Sequence, residues 1–295
     1  MTTTERLASV AREYLSEADA AAWTALLRPG ARLVRGDGDG GRDGDRGRDG
    51  GPVAARLGGV PRLPADAGWP RWEGHGPLGF VASVDCAAAA EAGALDIAWP
   101  KDGTLLFFLY GEAELIDIDK PEAQAGARVV YVPADAEAVE CEVPEQIEVL
   151  PEVPLSAVAI ATEPGEYHRA VRDAFPVEAD ETRRFAKRPV NERRFVRALE
   201  AALDVPDVRH QLGGWAIAMQ GDVEDEAAVT ALGGGSAPPD QIGAEARRWV
   251  LLAQFDTDEE AGLEWGETAT AYWMIRREDL AAGRFDRALF TMQCC

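Results

Sequence analysis

The sequence predicts an α+β chain, mainly β, made of duplicated antiparallel β units with covering helices and an N-terminal helix. Three observations lead there. Short runs of β-branched and aromatic residues are bounded by Pro, Gly and Asp. No regular alternation of long helix with strand accompanies them, which disfavours a doubly wound parallel sheet. The same motifs also occur twice in the same order.

Residues 5 to 27 place Leu7, Val10, Tyr14, Ala18, Ala21 and Ala22 at three- and four-residue steps, the pattern of an amphipathic helix. Thr2 and Glu5 have capping-box spacing, and Pro29-Gly30 supplies a stop. This gives an N-terminal helical region over 1–30. From Gly36 to Gly51 there are eight glycines, five aspartates and three arginines with no apolar residue, so a flexible linker is expected over 31–53. The β-rich domain follows over 54–295. Its first block predicts strands at 78–84, 104–110, 129–132, 139–143 and 156–160, and helices follow at 166–175 and 191–203.

The second block echoes the first. Leu57-Gly58-Gly59 returns as Leu212-Gly213-Gly214, Val81 to Asp85 as Leu252 to Asp256, and Thr104 to Leu109 as Thr270 to Ile275. The second glycine and the aspartate are 26 residues apart in the first copy (59 to 85) and 42 in the second (214 to 256). A Gly/Pro-rich surface insertion around 233–243 accounts for the excess, and a strand is expected at 215–219. A tandem duplication would give two units sharing one core.

With 52 acidic against 30 basic side chains the formal charge is −22. That field repels phosphate backbones and anionic lipid heads, so neither nucleic acid nor membrane is an expected partner, whereas a basic protein is. No apolar run has the length of a membrane span, and the start Met1-Thr2-Thr3-Thr4-Glu5-Arg6 lacks the pattern of a secretory signal. A cytoplasmic location is expected. Cys86 and Cys141 are isolated and Cys294-Cys295 are adjacent, which suits reduced thiols better than a disulfide framework. The near-absence of Lys and Asn reads as coding bias in a GC-rich bacterium.

Spacings that carry chemistry are few. There is no nucleophile elbow, P-loop, zinc-protease helix or dinucleotide fingerprint, so no catalytic residue, cofactor or metal is assigned. Asp256, Asp258 and Glu260 begin an acidic stretch reaching Glu264 and Glu267, but Ala261 stands where a calcium loop needs its glycine. A solvated acidic loop is the expectation, with those three side chains as weak divalent-ion candidates. His210 precedes the second glycine pair, and Gln220 and Asp222 follow it. With Gln254, Asp256 and Trp265 these make the candidate binding set, and His210 is expected to bond backbone and brace the glycine turn.

Leu57 to Pro64, Trp69-Pro70, Gly76 to Asp85, His210 to Gly214, Gln220-Gly221-Asp222, Trp249 to Asp258, Trp265-Gly266 and Gln293-Cys294, in that order, resemble the YwqG-like family of bacterial proteins. The resemblance covers about residues 54 to 295. It implies a mainly β, duplicated fold and no established activity. Ser83 departs from the family's glutamine, kept as Gln254 in the second copy, and Glu267 from its aspartate.

Two functions compete. One is a non-enzymatic, acidic protein-interaction module, regulatory or toxin-neutralising, and the sequence leans this way and so away from an enzyme. The other is a small-molecule-binding protein or hydrolase-like enzyme with a pocket between the halves, where His210, Gln220, Asp222 and Asp256 would converge.

Overall fold

Two short helices open the chain where one was predicted. In the computed structural model, which describes residues 1–35, 52–177, 188–203, 206–266 and 268–294, α1 runs Thr3–Tyr14 and α2 runs Glu17–Thr24. The capping box forms: the Glu5 N–H donates to the Thr2 hydroxyl at 3.2 Å and the Thr2 N–H to the Glu5 carboxylate at 2.8 Å. Leu15 and Ser16 are extended, which breaks the helix, and the Ser16 hydroxyl caps α2 by accepting the Asp19 N–H at 3.2 Å.

Pro29-Gly30 is not a helix stop. Both residues lie inside β1, Arg28–Arg35, so the sheet takes the end of the predicted helical region and the start of the predicted linker. The linker's last residue likewise opens β2, Val53–Leu57. Residues 36–51, where the glycines concentrate, fall outside the described residues.

The chain continues through β3 (Arg62–Pro64), β4 (Arg71–Trp72), β5 (Gly76–Pro77), β6 (Gly79–Asp85), α3 (Cys86–Glu91) and β7 (Thr104–Leu109). Next come β8 (Ala127–Val132), β9 (Ala138–Glu140), β10 (Val153–Thr162), α4 (Arg169–Ala174) and α5 (Arg193–Leu203). The last stretch holds β11 (Gln211–Gly213), α6 (Val223–Ala231), α7 (Pro239–Ala246), β12 (Trp249–Asp256), β13 (Ala269–Arg276), α8 (Arg277–Ala281) and β14 (Leu289–Cys294). The predicted strand at 215–219 does not form, and α7 begins inside the segment 233–243 expected to be a surface insertion, with α6 preceding it.

Ten strands make one antiparallel sheet in the order β14-β13-β12-β11-β1-β10-β2-β6-β7-β8. The halves mirror each other about its centre, with the runs β2-β6-β7-β8 and β11-β12-β13-β14 growing outward. Their registers agree residue for residue. Leu57 faces Ala82 as Leu212 faces Ala253, and Ala82 faces Phe107 as Ala253 faces Trp273. The bulges correspond too, between Phe80 and Ala82 and between Leu251 and Ala253. The strand leading each half crosses over: β1 pairs with β11 of the second half, and β10 pairs with β2 of the first.

Both glycine pairs turn through the left-handed region, at φ 61° and 71° for Gly58-Gly59 and 60° and 72° for Gly213-Gly214. Space excludes a side chain as well, since a Cβ on Gly58 would lie 2.2 Å from the Pro151 carbonyl oxygen. The sheet curls until its far strands meet. Phe107 of β7 lies 5.3 Å from both Phe255 of β12 and Trp273 of β13, ring centre to ring centre. The Gln124 side chain, just before β8, bonds both backbone groups of Phe290 on β14, at 3.0 and 2.7 Å. The apolar side chains of both halves therefore bury in one common core.

Outside that core, α1, α2 and α5 form a separate apolar layer against the end of β10, with Trp23 edge-on to Phe195 at 5.1 Å. Helices α6 and α7 cover the outer face of the second half, and the 3-residue and 2-residue strands β3, β4 and β5 with Trp69 and Trp72 cover that of the first. Among the described residues no helix is long and apolar enough to cross a membrane.

Candidate functional site

The residues singled out in the sequence divide between two places. His210 and Asp256 meet. Strand β11 begins directly after His210 and pairs with the end of β12, which brings the imidazole, 2% exposed, onto the chain leaving β12. Its Nδ1 accepts the Asp256 N–H at 3.2 Å, and its Nε2 donates to Asp258 at 2.9 Å. Asp256 accepts the Arg209 N–H at 2.8 Å and the Thr270 hydroxyl at 2.6 Å. Asp258 pairs with Arg35 of β1 and accepts the Ala261 N–H at 3.2 Å. Burial alone would raise the Asp258 carboxyl, but the His210 and Arg35 hydrogen bonds and charges hold it well below the usual carboxylate range.

This corrects the solvated-loop expectation. Asp256 and Asp258 are buried, at 6% and 2%, whereas Glu259, Glu260 and Glu264 reach solvent as expected. The carboxylates expected as weak ion ligands are committed to arginine, histidine and backbone donors, with Glu260 3.3 Å from Arg35. Among the described residues no group of three or more His, Cys, Asp or Glu side chains is placed to hold a metal, and Glu267 lies outside them. His210 does bond backbone, but on β12 and not on the glycine turn.

Gln254, Gln220 and Trp265 are structural in the same sense. Gln254 accepts the Ile217 N–H at 3.0 Å and donates to the Arg209 carbonyl at 3.1 Å. Gln293 accepts the Met219 and Gln220 N–H groups at 2.7 and 3.0 Å, while the Gln220 amide donates to the Cys294 carbonyl at 2.6 Å. The Tyr272 hydroxyl donates to the Ile217 carbonyl at 2.6 Å. Side chains thus do for segment 215–221 what a strand ladder would otherwise do, which is why no strand is needed there. Trp265 donates to the Phe255 carbonyl at 3.1 Å.

Asp222 goes elsewhere. It precedes α6 and accepts the Arg169 N–H at 2.9 Å, with Arg172 at 3.2 Å. The convergence of His210, Gln220, Asp222 and Asp256 in one pocket is therefore not what the fold builds: Gln220 and Asp222 border one depression, Asp256 another.

Asp222 instead reaches a cleft of about 340 Å³ that the sequence did not disclose. Four arginines, Arg28, Arg169, Arg247 and Arg277, line it, together with His168, Trp215 and Trp249. The Arg28 guanidinium stacks 3.2 Å from the Trp215 ring centre, and that indole is fixed by its N–H bond to the Leu26 carbonyl at 2.7 Å. The Trp215 N–H donates to Thr162 at 2.9 Å and the Gly214 N–H to Asp96 at 2.8 Å, so the second glycine turn holds the ring in place. The His168 Nδ1 accepts the Ala170 N–H at 3.1 Å and its Nε2 donates to Glu224 at 3.2 Å.

The acids of the cleft are already engaged: Asp173 with Arg247 at 2.8 Å, Asp225 with Arg169 at 2.6 Å, Glu224 with His168, and Asp222 as above. Arg28 has only a loose contact with Asp96 at 3.7 Å. Arg277, exposed at the start of α8, makes no ion pair among the described residues. Burial lowers the Arg28 guanidinium from its ordinary value, Asp96 opposes this, and the like charge of Arg277 adds to it. The sequence could not disclose this site because its arginines lie at 28, 169, 247 and 277, on four separate elements.

No curated protein matches the chain. Residues 55–294 match the family model described as Domain of unknown function (DUF1963), and by that match the chain belongs to this family.

Proposed function

We propose that the protein is a binding protein for a small anionic molecule, held in the arginine cleft. The observation that carries this reading is the juxtaposition of Arg28 and Arg277, two guanidiniums in a chain of net charge −22; the acids lining the cleft have other partners, and Arg28 keeps only the 3.7 Å contact with Asp96. An anion between them would relieve their repulsion and accept charge-assisted hydrogen bonds, and Trp215 and Trp249 offer an aromatic wall. Binding is favoured over catalysis because both ring nitrogens of His168 and of His210 are engaged, which leaves neither free to move a proton to or from a substrate.

Calorimetric titration with inorganic phosphate and with pyrophosphate tests the reading. Saturable binding weakened about tenfold in Arg277→Ala, roughly 1.4 kcal/mol, is expected. Absence of binding to either anion, or indifference to the substitution, refutes it.

A second reading rests on the overall charge: a basic protein docking on the acidic exterior, with affinity falling as salt rises. The YwqG-like kinship, a bacterial source and a cytoplasmic setting with reduced thiols belong to the same proposal. The motifs from Leu57 to Cys294, the scarcity of lysine and the scattered cysteines support them.

A further inference from the structure

The duplication supplies an internal standard for each site, and at one place the two halves diverge. In the second half Gln254, Tyr272 and Gln293 project from the outer face of the sheet and bond the backbone of segment 217–221. The matched registers put Ser83, Leu106 and Val132 at those positions in the first half. None of the three can span the gap. A cleft of about 510 Å³ lies there, walled by these residues and by Arg62, with Phe80 on its floor.

The backbone facing this cleft has something to offer. Counting from the glycine pairs, Arg62 is the counterpart of Ile217, whose N–H and C=O are taken by Gln254 and Tyr272. Arg62 lies on β3, opposite Glu140 of β9. The Cys141 N–H donates to the Pro61 carbonyl at 3.4 Å and the Ala65 N–H to that of Glu137 at 3.3 Å. These bonds set the phase of the ladder, in which hydrogen-bonded and non-hydrogen-bonded pairs alternate, so Arg62 and Glu140 are a non-hydrogen-bonded pair. The N–H and C=O of Arg62 therefore turn away from β9, and Arg62 holds the repeat position whose backbone groups in the second half are taken by Gln254 and Tyr272.

We infer that this cleft binds a small molecule carrying a planar primary carboxamide on an apolar body. The carboxamide oxygen would accept the Arg62 N–H and its NH₂ would donate to the Arg62 carbonyl, replacing the groups that Gln254 and Tyr272 supply to Ile217. The apolar body would lie against Val60, Pro133 and Ala136, which line the cleft and are at least partly exposed. The site is separate from the arginine cleft and would take a neutral ligand.

Benzamide is the probe, followed by backbone-amide NMR of the full chain. A saturable shift of the Arg62 amide is expected, with benzoate at the same concentrations at least tenfold weaker because it lacks the donor. Ser83→Gln, a substitution at a half-buried position that puts the second-half side chain into the cleft, is expected to weaken benzamide at least tenfold while the melting temperature is maintained. Arg277→Ala should leave benzamide unaffected. Shifts scattered away from the cleft, equal binding of benzoate, or undiminished binding in a folded Ser83→Gln protein would each overturn the inference.

Discussion

The two halves share a strand plan and differ in how each covers its outer face. In the second half the polar side chains Gln254, Tyr272 and Gln293 reach across to hold a strandless segment, and α6 and α7 close over the rest. In the first half Ser83, Leu106 and Val132 stand at the same register positions, the covering segment pairs as β3 with β9, and an open cleft remains. Backbone polar groups must be satisfied on both sides. One half uses side chains for this and the other a ladder, so the sheet's outer face is bridged to its covering segment by polar side chains in the second half and not in the first.

The largest expected break of this comparison lies in the second half. Asp258→Ala leaves Arg35 and His210 without their shared carboxylate, and a loss of about 3–5 kcal/mol in urea-denaturation stability is expected. Gln293→Val, which copies the first half into the second, orphans the Met219 and Gln220 N–H groups. It should cost about 2–3 kcal/mol and speed hydrogen exchange at those two amides. The reverse change, Ser83→Gln, should alter stability by less than about 1 kcal/mol, since it adds a side chain to open space. If both substitutions prove equally costly, the contrast between the halves is mistaken.

Acid sharpens the same contrast. The Asp258 carboxyl is depressed in the folded protein, so its contribution is complete above the unfolded value near 3.8 and is lost as pH falls toward its folded one. Asp258→Asn should flatten the stability decline below pH 4. Glu163, just after β10, behaves oppositely: burial first, then the charge of Glu166, push its carboxyl up to about 8 from 4.5. The unfolded chain ionises first, so stability is lost as pH rises between those values, and Glu163→Gln should lessen that decline. The smallest effect concerns Cys86, fully buried in the first half, where burial pushes the thiol up to about 12. Native-state labelling should spare it and reach it only on unfolding.

Much of the sheet was legible in the sequence because short strands with glycine corners recur in a fixed order, and the matched registers follow that order. The break at Ser16 was missed because a serine inside an apolar periodicity looks tolerable until its hydroxyl is seen capping the next helix. Strand β1 was missed because Pro29 and Gly30 resemble a stop. Both are accommodated between β10 and β11, where a Cβ on Gly30 would lie 3.2 Å from the carbonyl oxygens of Leu212 and Gly213. The chain from 215 to 219 has strand composition but lacks a ladder partner among the described residues. The candidate site was legible only in part. His210 and Asp256 share a sheet corner readable from the repeat, whereas the arginine cleft is assembled from four distant elements and leaves no local signature.

The crossed leading strands carry a consequence for ancestry and for dissection of the molecule. Each repeat lends its first strand to the other, the arrangement left when two intertwined identical subunits become joined end to end. A single repeat produced by itself would have to find a second copy before its sheet could close.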